Sequence, residues 1–140
     1  MPKRFAVLFL ASALTLPARA QDPVIQKVPP PYTSPASGPE MYLAYCASCH
    51  GTKGRGDGPV APHLKLTVPD LTTLSRQNKG VFPRAHVAKV IQGEVGVKTH
   101  GLLDMPVWGP AFLRMNNSQE PVLRMRVSNL TDHIEGLQAR

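Results

Sequence analysis

Two thiols and an imidazole stand together at Cys46-Ala47-Ser48-Cys49-His50, and no other cysteine occurs in the 140-residue chain. On a helical turn, positions i, i+3 and i+4 share one face, so both sulfurs and the ring would point the same way. A redox disulfide of thioredoxin type expects a βαβ context, and no strand pattern precedes Cys46. A structural zinc site needs two more ligands, yet no further Cys is available and His63, His86, His100 and His133 are scattered singly. The chemistry that fits the spacing is covalent haem attachment. Cys46 and Cys49 would form thioethers to one edge of the porphyrin, and the His50 imidazole would face the iron.

A helix must carry these residues. Ser37 or Gly38 can cap it, Pro39 suits its first position, and Met41, Tyr42 and Tyr45 supply apolar contacts before Cys46. The helix stops in Gly51-Thr52-Lys53-Gly54-Arg55-Gly56-Asp57-Gly58-Pro59. That loop is no phosphate cradle, because no strand leads in and its Lys lacks Walker spacing. Its glycines are better explained by a backbone that turns tightly past a large flat cofactor. Further helices are predicted from Phe82 to Gln92, with Gly93 as the stop, and more shortly over residues 70–74. Residues 121–137 read as an amphipathic helix through Leu123, Val127, Leu130, Ile134 and Leu137. No alternating strand pattern or internal repeat is visible, so the predicted class is all-α.

The chain opens with Lys3 and Arg4, an apolar run from Phe5 to Leu16, and the small-x-small site Ala18-Arg19-Ala20. Residues 1–20 therefore read as a secretory signal peptide, too short for a mature membrane span, with no Cys nearby for a lipid anchor. Residues 21–37 hold five prolines among polar residues and read as a Pro-rich flexible arm. The net charge of +7 becomes +4 once Lys3, Arg4 and Arg19 are removed, leaving 13 basic against 9 acidic residues. A mildly basic, exported protein without a basic run is a poor nucleic-acid binder, but could be steered to acidic partners. Export also accounts for the two cysteines, since thioether formation outside the cytoplasmic membrane consumes both thiols.

At this point the sequence resembles the small, exported mono-haem class I cytochromes c of bacterial type over residues 38 to about 138. The resemblance implies three to five helices wrapped around one covalent haem c in a domain spanning 38–140. Members of that family place a Gly eight residues and an aromatic four residues before the first Cys, matched here by Gly38 and Tyr42. This pair packs in the family against an aromatic of the C-terminal helix; here the position falls at Leu130 and His133, a departure that could weaken the contact. The sixth iron ligand of the family is usually a Met followed by Pro, which Met105-Pro106-Val107-Trp108-Gly109 matches, with Gly109-Pro110 as a returning loop. A thioether ligand favours ferrous iron and raises the potential. Met115 is the weaker competitor, His100 would give a bis-His haem, Met41 lies on the first helix close to the attachment site, and Met125 sits off the apolar stripe of the last helix. The family orients its proximal His through a carbonyl in a Gly-Pro segment, which assigns that role to Pro59, with Pro62 as the alternative. Trp108 either hydrogen-bonds a haem propionate or fills the pocket wall.

The resulting expectation is a periplasmic electron carrier, not an enzyme, whose iron cycles between Fe(III) and Fe(II) and whose partners are redox proteins met in brief encounters. Two other classes fit less directly. One is a cytochrome subunit of a periplasmic dehydrogenase or oxidase, with the arm as interface. The other is an open-site haem enzyme or gas sensor.

Overall fold

The computed structural model describes residues 30–95, 105–115, 117 and 119–139. The expected signal peptide (1–20), residues 21–29 of the expected arm and His100 lie outside these residues. Among those described are six α-helices and no strand: α1 (Gly38–Tyr45), α2 (Ala47–His50), α3 (Leu74–Gln77), α4 (Arg84–Gln92), α5 (Trp108–Met115) and α6 (Glu120–Gly136). Two 3₁₀ turns, Ala61–His63 and Leu71–Thr73, connect them. The all-α class is as expected. Two of the six are single turns, α2 set off from α1 by the break at Cys46 and α3 standing alone, so the count agrees with about three to five helices around the cavity.

Local chemistry sets these boundaries. The Ser37 side chain accepts from the Glu40 amide at 3.3 Å, and Pro39 occupies the first turn where no N–H is needed. The break at Cys46 is slight: its amide still donates to the Tyr42 carbonyl, and the His50 amide to the Cys46 carbonyl, both at 2.9 Å. The thiol-bearing turn is thereby fastened to α1. Gly93, in the left-handed conformation, ends α4. One helix was missed by the sequence reading, which took Gly109-Pro110 for a loop. Both residues lie in the first turn of α5, where proline is tolerated because its missing N–H would have no intrahelical partner. A Cβ on Gly109 would come within 2.5 Å of the Gln92 carbonyl oxygen, so this glycine lets α5 pack on the end of α4.

Helix α6 carries the core. Leu123, Val127, Leu130 and Ile134 are buried along it as the periodicity predicts, and α1, α4 and α5 all pack against it. The α1–α6 crossing needs Gly38, where a Cβ would sit 2.2 Å from the Asn129 carbonyl oxygen. His133 takes the expected aromatic position: its ring lies 4.8 Å from that of Tyr42, centroid to centroid, at a 52° tilt. The Tyr42 hydroxyl continues to the Gly51 carbonyl at 2.8 Å, joining the crossing to the end of α2. Across the neighbouring face, Arg84 of α4 bridges Asp132 and Glu135 of α6 at the surface, a contact of small energetic weight.

Using His133 in place of an aromatic has a pH consequence. Burial holds its pKa below the ordinary 6.5, so the folded state favours the neutral ring. The unfolded chain binds this proton first as pH falls. The contribution of His133 is therefore complete above about 6.5 and is lost as acid takes the pH down from there towards the lower folded value. His133→Phe is expected to keep the crossing and remove this part of the acid sensitivity. Melting temperatures of both proteins from neutral to mildly acidic pH check it, and equal slopes would refute it.

Candidate functional site

Cys46, Cys49 and His50 line a cavity of about 300 Å³ between the α1–α2 unit, the 64–77 segment, α4 and α6. Met105 and Pro106 line it as well, and so does Trp108. The remaining wall is mostly apolar, with Leu64, Val68, Leu71, Val87, Ile91, Leu130 and Ile134 among its residues. The structure therefore brings all the sequence-predicted site residues to one cavity except Pro59.

Pro59 is a correction. Its segment closes the end of α2: the Gly58 amide donates to the Cys49 carbonyl at 3.1 Å and the Val60 amide to the Ser48 carbonyl at 2.9 Å. A Cβ on Gly58 would lie 2.4 Å from the Ser48 carbonyl oxygen, so the chain here runs against the helix backbone. The acceptor beside the imidazole is instead the carbonyl of Pro69, 3.3 Å from His50 Nδ1. Since a carbonyl can only accept, the proton sits on Nδ1 and Nε2 keeps its lone pair. Asp70 sets this geometry by capping the following 3₁₀ turn, accepting from the Thr72 amide at 2.9 Å and the Thr72 hydroxyl at 2.6 Å. These bonds, the hydroxyl's first, hold the Asp70 carboxyl below its usual range. A Pro followed by an Asx-type cap was the signal in the sequence. The glycine loop returns to the same place: Gly56 has φ +76°, and a Cβ there would meet the Val68 carbonyl oxygen at 2.4 Å.

The sulfurs are distinguished by surroundings. Cys46 and Cys49 are not bridged to each other. As a free thiol, Cys46 is pushed up to about 12, first by burial and then by the neighbouring Cys49, so it is protonated at neutral pH. Among the described methionines, Met105 is the one that lines the cavity; Met41 is buried in the core and Met125 is exposed. Met115 turns its sulfur towards the Tyr45 hydroxyl, 3.8 Å away.

Trp108 closes one wall in an aromatic cluster. Its ring lies 4.8 Å from Tyr45 and stacks on Phe112 at 5.6 Å. Sequence reasoning noted Tyr45 only as an apolar contact, but it lines the cavity, and its hydroxyl donates to the Pro31 carbonyl at 2.7 Å. His86 of α4 is exposed yet also borders the cavity. Among the described residues no three His, Cys, Asp or Glu side chains converge as a metal-ion cluster.

An all-α domain that sets two thiols, a buried histidine with an oriented ring and a methionine thioether around one apolar cavity defines a haem protein of the C-x-x-C-H class. The donor set fits the group: soft sulfur and imidazole for the iron, apolar walls for the macrocycle. The cytochrome c family model matches residues 35–121, and the chain belongs to that family. Its cofactor is covalent haem c with its iron, and its activity electron transfer. No curated protein and no solved structure matches the chain. No helix among the described residues is long and apolar enough to cross a membrane.

Proposed function

We propose that the protein is an exported electron carrier, working in the periplasm, with Cys46 and Cys49 as the haem thioethers and His50 and Met105 as axial ligands. The observation that carries this reading is the convergence of Met105 with Cys46, Cys49 and His50 on one cavity from a part of the chain more than fifty residues away. Haem c bound there supplies an iron that accepts and releases one electron. The chain does the rest. Pro69 fixes the tautomer and orientation of His50, and the apolar walls exclude water. Trp108 forms a wall of the cavity, and its indole N–H is a donor that a propionate would satisfy if it lay within reach. Residues held this firmly change little when the iron's charge changes, which keeps transfer fast. Export is supported by the charged, apolar and small-residue pattern of residues 1–20. The surplus of basic residues suits transient docking to redox proteins with acidic surfaces.

Absorption spectra of the purified holoprotein in both redox states test the reading. A low-spin spectrum with the weak far-red band of ferric iron bound to methionine sulfur is expected. A high-spin spectrum with tight carbon monoxide binding by the reduced protein would instead make it an open-site haem enzyme or sensor.

A further inference from the structure

Residues 31–36, which the sequence reading placed in the flexible arm, lie on the domain as a strap. The Asn129 side-chain amide donates to the Pro35 carbonyl at 2.8 Å, and the Thr33 and Tyr45 hydroxyls are 2.8 Å apart. Beneath the strap is Arg126, with 0 % exposure. Its guanidinium donates to the Thr33 hydroxyl at 3.0 Å and the Thr33 carbonyl at 2.8 Å, while Nε has no hydrogen-bond partner. The cation lies between two rings, 5.4 Å from the Tyr32 centroid and 5.5 Å from that of Phe112. The ion pairs among the described residues all belong to Arg84, so no carboxylate of the described residues pairs with Arg126. Most of the strap and most of α6 lie outside the matched span 35–121, so this arrangement is not part of what the family match covers.

A cation removed from water without a counter-charge is expensive to keep, and its field is correspondingly unscreened. Phe112, on which it rests, is also in ring contact with Trp108 and Tyr45, two residues of the cavity wall. The guanidinium thus sits one ring behind that wall. We infer that Arg126 is a potential-setting residue: its buried, uncompensated charge favours ferrous over ferric iron and raises the reduction potential, and the Tyr32–Thr33 strap sustains the effect by excluding water. Reduction adds one electron and lowers the charge of the site by one, so a fixed positive charge nearby stabilises the reduced state relative to the oxidised one. The inference rests on the reading that the cavity holds the haem with Met105 as ligand.

The test is a spectroelectrochemical titration of full-length mature holoprotein, with the far-red band recorded for each variant. Arg126→Met, similar in length but neutral, is expected to keep the band and shift the midpoint potential downwards. Thr33→Val loosens the strap but retains the charge, and is expected to shift it less. An unchanged potential in Arg126→Met, or an equal fall in Thr33→Val, would reduce Arg126 to a structural clamp and overturn the inference. Should Arg126→Met not fold, Tyr32→Ala decides: opening the cover is expected to lower the potential and make it more salt-dependent, and no change would overturn the inference equally. Absence of the band from the unsubstituted protein would refute the ligand reading instead, which keeps the two failures apart.

Discussion

Replacing both Cys46 and Cys49 with alanine is expected to leave a protein from which all haem is removed by denaturing extraction, and which loses its native fold when the haem leaves. The first part follows from the absence of any other cysteine in the chain. The second follows from burial. Without haem, the apolar wall of the cavity at the junction of α2, α4 and α6, Val87, Ile91, Leu130 and Ile134 among it, loses the surface it packs on and faces water. A small domain has a net stability of only roughly 5–15 kcal/mol to set against that loss. In the unsubstituted protein the thioethers make loss of the filling group impossible without breaking a covalent bond. In the double variant only His50, Met105 and burial retain it. Haem staining after denaturing electrophoresis and near-ultraviolet circular dichroism before and after extraction check both parts. Persistent covalent haem would overturn the attachment assignment, and an intact dichroism spectrum after haem removal would show that α6 and its neighbours hold the fold without it.

What the sequence could reveal was set by how local each determinant is. The C-x-x-C-H turn, the Ser37 cap, the α6 stripe and the Gly38–Tyr42 spacing depend on residues within a few positions of one another, and all are present in the structure. Met105 is singled out by its resemblance to the family's Met-Pro segment, and the structure places it on the cavity wall. Other features depend on contacts that no local pattern encodes. Pro59 and Pro69 are both prolines in loops after His50; choosing between them requires knowing that Gly58–Val60 docks on the carbonyls of α2 while Asp70 turns Pro69 back towards the ring. Helix α5 was hidden because Gly109-Pro110 carries the signature of a turn, although the first turn of a helix accepts the same pair. Arg126 is the extreme case. Its side chain is buried by residues ninety-three positions earlier in the chain, which composition alone assigned to a disordered arm.

Met105→Ala has the largest effect on the redox chemistry while leaving attachment alone. Haem staining is expected to be unchanged, because Cys46 and Cys49 are untouched. The far-red band should disappear, the reduced protein should bind carbon monoxide, and the potential should fall by about 0.1 V or more, a modest part of the ~0.8 V that axial ligation spans. The direction follows from ligand chemistry: a neutral, soft thioether stabilises ferrous iron, and water or a nitrogen donor in its place does so less well. The structure also specifies what could take over. Met115 does not line the cavity and has its sulfur turned towards Tyr45, whereas His86 borders the cavity from α4. A low-spin spectrum without the far-red band in Met105→Ala would therefore mark capture by an imidazole, and Met105→Ala/His86→Ala should convert it to high spin if His86 is the source. Retention of the band and potential in Met105→Ala would remove Met105 from the coordination sphere. The open or substituted site is expected because the other methionine sulfurs of the described residues are held elsewhere, Met41 in the core, Met115 against Tyr45 and Met125 in solvent, and because the proposed thioethers occupy both cysteine sulfurs.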